Sequence, residues 1–404
     1  MSEPILTSGD LLARFQALDS FLLQHQALWR PRPFHYLQLP WESELPELAA
    51  WLRSRSLEQA ETSDNSPFAL SAPAPFPELA HQAQALSQLG EIPSQDSPPR
   101  AHTFSVDVPG RKLDQIQAFA NHLQFRQRPT HWLDWCSGKG HLGRWLTQGD
   151  QHLTCLEYDP ALIESGSALS KRLGLAAAHL QQDVLADDCS ECLHKEHTPV
   201  ALHACGDLHV RLLQLASRKG CTQLAVAPCC YNRIAGMQYQ PLAAAAQGSS
   251  LQLSRDDLGL PLSETVTAGA RVRRQRNQSM AWRLAFDLLQ RQLRGIDEYL
   301  PTPSLSSDWF SKPFANFCHD LAKLRDVPLP GEQDWPALEA RGWQRLAEVR
   351  NLELLRNLFR RPLELWLLLD RALYLQEQGY RVKLGTFCDY QLSPRNLLLL
   401  AERA

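Results

Sequence analysis

Three carboxylates and a pair of glycines are the residues in this chain whose spacing most plainly suits chemistry. Asp134 ends a short apolar run in HWLDWCSGKGHLGRWL, Gly138 and Gly140 follow it, and a helix-like segment opens at His141. A strand that ends in a carboxylate, a glycine loop and a helix start is a ligand crevice. Glycine lets the backbone close on a bound group, and the first turn of a helix presents free N–H groups at the same place. A second apolar run, His152 to Leu156, ends in Glu157. An acidic residue about 20 residues beyond the glycine loop suits a ribose diol. A third unit, LQQDV, carries Asp183. The dinucleotide fingerprint G-x-G-x-x-G is not matched, so a nucleotide-like cofactor of another kind is expected.

The loop Asp134-x-Cys136-x-Gly138-x-Gly140 resembles the D/E-x-G-x-G-x-G loop of class I S-adenosylmethionine (SAM) methyltransferases, with Cys136 in place of the first glycine. The resemblance implies a cofactor site made of Asp134, Cys136, Gly138, Lys139, Gly140, His141, Leu142, Glu157, Tyr158, Asp183, Val184 and His203. In it Asp134 takes the cofactor amino group, Glu157 the ribose hydroxyls and Asp183 the adenine edge. A sulfonium methyl is already activated, so the protein's task is alignment.

A second constellation stands at the ends of two further apolar runs. PVALHACGDL closes on His203, Cys205, Gly206 and Asp207, and QLAVAPCCYN closes on Cys229, Cys230, Tyr231 and Asn232. In a doubly wound sheet such strands are neighbours and ligands sit outside their carboxyl ends. His203, Asp207, Cys229, Cys230 and Tyr231 are therefore the catalytic candidates, and Asn232 a substrate contact. His203 is either a general base or a satisfied strand histidine, and Asp207 suits orienting a hydroxyl or amine. Cys229 and Cys230 read as small, soft walls beside the methyl group rather than as nucleophiles. Metal ligation by His203, Cys205, Cys229 and Cys230 is chemically feasible but lacks the usual knuckle spacing. The run Cys189-x-x-Cys192-x-His194-x-x-His197 reads as a polar surface loop, so no metal is assigned. The one dense basic run, Arg271, Arg273, Arg274 and Arg276 in VTAGARVRRQRNQSMAWR, reads as a phosphate-binding face for RNA or as a solvated helix face. Arg283, Arg291 and Arg294, with Arg360 and Arg361, extend it in sequence.

The elements that must position these residues alternate strand and helix. Strands are expected at 131–135, 152–157, 178–182, 199–204 and 222–227, and at 380–387 and 396–402 as an antiparallel pair closing the sheet. The fold class is thus α/β: a doubly wound, mostly parallel, seven-stranded Rossmann-like methyltransferase sheet. Residues 1–60 show helical periodicity and form an accessory region. Residues 61–106 read as linker or irregular cover, with the breaker-rich stretch IPSQDSPPRA near its end. The core is expected over 107–240, a helical insertion on the substrate side over 241–379, and the last strands over 380–404.

A length of 404 residues suits two or three domains. With 44% hydrophobic and 21% charged residues the chain has an ordinary globular composition. No apolar run approaches the ~20 residues of a membrane span, and the N-terminus lacks a secretion signal. Ten cysteines without an export signal are expected to be reduced, hence a cytoplasmic protein with no membrane partner. The net charge of −3 argues against an overall nucleic-acid footprint but not against a local patch.

Taken together, Asp134–Leu142, His203–Leu208, Pro228–Tyr231 and Leu392–Asn396 resemble the methyltransferase family that includes the methyltransferase-like protein 25 group and the tRNA acceptor-stem 2′-O-methyltransferases. Tyr231 and Asn232 stand where the tRNA enzymes carry histidines, and their zinc-finger modules are not recognisable. The resemblance implies SAM-dependent methyl transfer and tRNA-like RNA as acceptor. A protein or small-molecule acceptor, or a non-catalytic SAM-binding interaction protein, are the alternatives.

Overall fold

The computed structural model describes residues 3–64, 66–95, 102–263, 269–329 and 331–403. The expected breaker-rich stretch falls partly, over 96–101, outside the described residues, as does 264–268 just ahead of the arginine run. The strands are β1 (Leu6–Thr7), β2 (His131–Trp135), β3 (His152–Glu157), β4 (Ala177–Gln181), β5 (His197–Cys205), β6 (Gln223–Cys229), β7 (Tyr380–Thr386) and β8 (Leu397–Arg403). They form one sheet in the order β1-β7-β8-β6-β5-β2-β3-β4. Neighbours from β6 to β4 pair in parallel, β8 pairs antiparallel with both β6 and β7, and β1 is antiparallel to β7.

The mixed α/β sheet is mostly parallel and fits a Rossmann-like methyltransferase, but it has eight strands rather than the expected seven. The addition is β1, which joins Leu6 to Leu384 and Thr7 to Lys383. Two residues show no period-two pattern, so an edge strand this short leaves no trace in the sequence.

The α-helices are α1 (Leu11–Gln24), α2 (Gln26–Trp29), α3 (Pro46–Arg53), α4 (Leu57–Ser63), α5 (Phe76–Ser87), α6 (Gly110–Asn121), α7 (His141–Leu146), α8 (Pro160–Arg172), α9 (Asp207–Lys219), α10 (Ala244–Gln247), α11 (Ala270–Arg294), α12 (Phe314–Leu324), α13 (Trp335–Asn357) and α14 (Arg360–Glu377). The chain divides into two compact units, one of residues 1–23, 86–264 and 361–404, the other of 24–85 and 265–360. The expected blocks 1–60 and 241–379 are each split between them.

The first unit holds the sheet. Leu153, Cys155, Leu156 and Val200 are buried as near-continuous strand runs, the signature of a parallel sheet covered on both faces. Of these, Leu153, Cys155 and Val200 join Ile116 and Phe119 of α6, Trp132, Leu142 and Trp145 in one apolar cluster. The second unit is helical. Trp282, Phe286 and Leu289 of α11 pack with Phe314, Phe317 and Leu321 of α12, and Gly342 of α13 lets that helix approach the Ala281 carbonyl, which an added Cβ would meet at 2.4 Å. Among the described residues no helix is long and apolar enough to cross a membrane.

Candidate functional site

The carboxyl ends of β2, β3 and β4 form a cleft of about 310 Å³, lined by Cys136, Leu156, Glu157, Tyr158, Gln182, Asp183, Val184 and Leu208. Cys136 brings the glycine loop to its wall. Gly138 and Gly140 have φ of 55° and 71°, and Cys136, at 55°, adopts the same left-handed backbone without being glycine. A Cβ on Gly140 would lie 2.9 Å from Cys155 Sγ and 3.0 Å from His179, so the position is closed to side chains for two reasons. Glu157 clamps the loop: its Oε2 accepts from Gly138 N at 2.8 Å, and its Oε1 from Tyr158 N at 2.9 Å and Asp159 N at 3.0 Å. Asp183 caps its own turn by accepting from Leu185 N at 2.9 Å. Val184 is buried, whereas Tyr158 is 70% exposed at the rim.

Asp134, the residue expected to take the cofactor amino group, lies in β2. It is buried, and its Oδ2 accepts from Gly143 N of α7 at 2.8 Å, beneath the loop. Burial pushes its carboxyl up to about 7. This geometry fits a residue that holds the loop rather than one that meets an amino group. His141 and Leu142 are likewise buried, and neither is among the residues that line the cleft. Desolvation, with Arg144 next, brings His141 down to about 4.

Arg144 escaped sequence reading. Its guanidinium lies under the loop, donating to the carbonyl of Lys139 and at 3.3 Å to that of Gly166 on α8, with the His141 ring at 3.0 Å. A lone charge inside the apolar segment HLGRWL was the available signal, because a buried arginine is kept only where several acceptors meet it.

The ends of β5 and β6 make the second half of the edge. Pairing runs Leu202 to Ala227, shifts, and resumes at Cys205 opposite Cys229. The residue thrown out by this bulge is His203, with φ of 65°. Bulges re-aim side chains beside functional sites. The His203 Nε2 lies 2.9 Å from Gln115 Oε1 of α6, and burial lowers its pKa. Cys205 Sγ stands 3.6 Å from Cys229 Sγ. Cys230, at φ of 46°, folds back so that all three sulfurs lie within 4.8 Å of one another. Hydrogen bonds from Cys205 and then Cys229 hold the Cys230 thiol well below the usual range. Among the described residues, three of the five non-glycine residues with positive φ, Cys136, His203 and Cys230, thus sit on this edge. Each costs of order 1–3 kcal/mol, strain that collects at functional sites.

Two of the catalytic candidates make contacts within the fold. Tyr231 is 1% exposed; its ring packs 5.1 Å from the Arg371 guanidinium and edge-on to His209, inside the protein rather than at the cleft. Asp207 Oδ2 accepts from Ala235 N at 2.7 Å and Asp207 N donates to Arg233 O at 2.9 Å, so it ties the loop after β6 to α9. Asn232 is half-buried in that loop. A buried chain of contacts supports it: His209 Nδ1 meets Ala204 O at 3.0 Å and its Nε2 accepts from Arg371 Nε at 2.7 Å, while Arg371 also donates to Tyr239 Oη, which donates to Asp370.

The arginines of the basic run lie in the other unit. Arg271, Arg273, Arg274 and Arg276 are exposed on the first two turns of α11. The expected extension is not made of similar residues. Arg291 bonds Asp287 and Asp297 at 3.1 and 2.6 Å, Arg360 pairs with Asp64 at 3.1 Å, and Arg361 with Glu364 at 2.7 Å.

Residues 111–237 match a family model described as a methyltransferase domain. The matched stretch runs from α6 through β2–β6 and contains both halves of the carboxyl edge. The match supports methyl transfer in general terms, with SAM the typical methyl source of such domains.

Proposed function

We propose that the chain is a SAM-dependent methyltransferase acting on RNA, tRNA-like in kind. The observation that carries the transferase reading is the convergence of left-handed Cys136 of the glycine loop, Glu157 and Asp183 on one cleft in which Leu156, Val184 and Leu208 supply apolar wall. An adenosine needs that combination: apolar faces for the base and a few placed polar groups for its edge and sugar. Bound there, SAM supplies an electrophilic methyl carbon.

The chain's own residues do the rest. Glu157 exchanges one backbone partner for the ribose hydroxyls, Asp183 and the neighbouring backbone at Val184 meet the adenine edge, and Gly138, Lys139 and Gly140 offer backbone to the amino-acid moiety. Asp134, His141 and Arg144 keep the loop in shape. The acceptor sits by the bulge, where His203, held by Gln115, is the group that takes its proton. Cys229 and Cys230 remain walls of that half.

The arginine run favours RNA over a small-molecule or protein acceptor. A helix start already carries partial positive charge, so each cation placed there costs about 0.3–1 kcal/mol. Two of the four exposed arginines, Arg271 and Arg273, fall in the first turn of α11, which carries no acidic residue, and oppose helix stability there. A polyanion reverses that cost. The test is methyl transfer from tritiated SAM to total RNA, compared in wild type and in the variant with Arg271, Arg273, Arg274 and Arg276 all changed to Gln. Transfer to RNA whose binding falls with salt, with the slope shallower by roughly 0.7 per arginine removed, supports the reading. Label found only in protein or small molecules overturns the RNA acceptor. The match to a tRNA-modifying or methyltransferase-like protein 25 type belongs to this proposal.

A further inference from the structure

We propose that Cys205, Cys229 and Cys230 form a three-thiolate site for a thiophilic divalent cation of the zinc class, with a fourth coordination position left to a non-protein ligand. Tetrahedral zinc, at about 2.3 Å from each sulfur, spaces its sulfurs about 3.8 Å apart. Cys205 and Cys229 already stand 3.6 Å apart, and the third sulfur lies within 4.8 Å of both. Such spacing is far from the ~2.05 Å of a disulfide. Thiolate donors select zinc and other soft ions over magnesium or calcium.

The backbone is bent to create this arrangement. Without the bulge between Leu202 and Cys205, Cys205 would fall out of register with Cys229. Without a left-handed Cys230, the vicinal side chains of 229 and 230 would diverge. Two separate distortions that serve one sulfur cluster are hard to ascribe to packing. Three thiolates around one divalent cation leave a net negative centre. Arg233 and Arg395 lie near enough to act on the Cys230 sulfur and offset that charge. Cys229 is buried while Cys205 and Cys230 are half-buried, so the site is anchored on one side and open on the other.

The ligand set differs from the four residues weighed from sequence. Among the described residues no histidine joins the three sulfurs, because the bulge sends His203 to Gln115. A site with three protein ligands is the kind that keeps a position for water or substrate. The inference does not require methyl transfer, and its test is independent of that reading.

The full chain, reduced and stripped of metal, is titrated with Cd²⁺ while thiolate-to-metal charge-transfer absorbance is followed. The expected result is one equivalent bound per chain. Affinity should fall at least tenfold in Cys205→Ser and in Cys230→Ser, and should be unchanged in Cys192→Ser. Circular dichroism checks that each variant is folded. Should either site variant fail to fold, wild type alone decides: Zn²⁺ should protect Cys205 and Cys230 from iodoacetamide, as located by peptide mass spectrometry. Absence of the charge-transfer band, wild-type affinity in Cys205→Ser, affinity lost in Cys192→Ser, or protection confined to other cysteines overturns the site.

Discussion

The two halves of the sheet's carboxyl edge are built by opposite means. At β2, β3 and β4 the site is local: glycines and Cys136 supply the unusual backbone, and Glu157 at the end of β3 clamps it. At β5 and β6 the site is long-range. A bulge, two non-glycine residues in left-handed backbone, and a buried His209–Arg371 contact place the side chains. The first half is specified by residue type; the second depends on what packs behind it. The two should therefore fail in different ways.

The largest effect is expected where the second half has no slack. Gly206, at φ of 50°, would put an added Cβ 2.0 Å from Arg233 O and 2.5 Å from its carbonyl carbon. Both atoms are backbone, so Gly206→Ala displaces the loop after β6. The cost is roughly 3–5 kcal/mol, read from urea unfolding. If the halves are independent, the folded fraction still binds S-adenosylhomocysteine with wild-type affinity. Joint loss of both would erase the contrast.

Glu157→Ala attacks the first half and should do the reverse. Hydrogen bonds to a charged group contribute about 1.5–3 kcal/mol. Calorimetry should therefore show S-adenosylhomocysteine affinity about ten- to a hundredfold lower, with the contacts among Cys205, Cys229 and Cys230 intact. Unchanged affinity would mean that Glu157 serves only the loop N–H groups it already holds.

Legibility in the sequence follows the same division. β2 and β3 stand at the bounds expected from their apolar runs, and the loop residues between them are where the motif places them. Local patterns carry local structure. The bulge at His203 was invisible because nothing within PVALHACGDL marks the register it keeps with β6. Tyr231 read as a site residue because it follows two cysteines, yet its ring turns inward to Arg371. Arg144 and Arg371 were missed although each interrupts an apolar run, HLGRWL and LWLLLDRALYL. A charge in such a run signals a buried network, but not which partners it finds. The split of residues 24–85 and 265–360 into a second unit rests on contacts between distant segments such as α3, α4 and α13, for instance Arg53 with Glu348 at 2.8 Å.

A smaller effect separates the halves by pH. Burial lowers both His141 and His179, packed under the cofactor loop, from 6.5 to about 4. The unfolded chain then takes up protons that the folded one refuses, so stability present above pH 6.5 is lost as pH falls toward 4. Asp134 acts in the opposite sense: raised from 3.8 to about 7, it removes stability as pH rises through that window. Two histidines outweigh one carboxyl, so the urea midpoint should rise from pH 4 to about 6.5 and then ease downward to pH 7. His179→Gln should flatten the acid limb and Asp134→Asn the decline near neutrality. A midpoint independent of pH over this range would contradict the burial of all three groups.

The smallest effect is the most specific to the backbone. In ordinary strand or helix positions glycine is less stable than alanine by about 0.5–1 kcal/mol. At Cys136 the order should invert. Alanine keeps the left-handed φ of 55° and its Cβ penalty, which is about 1–2 kcal/mol per residue, whereas glycine abolishes it. Both variants lose the same sulfur atom, so its contacts cancel in the comparison. Cys136→Gly should unfold at higher urea than Cys136→Ala, by an amount worth about 1 kcal/mol. If Cys136→Ala proves the more stable, the loop does not hold a strained residue at its first position. The resemblance of the two halves in backbone strain would then reduce to His203 and Cys230 alone, leaving the first half built wholly from glycine.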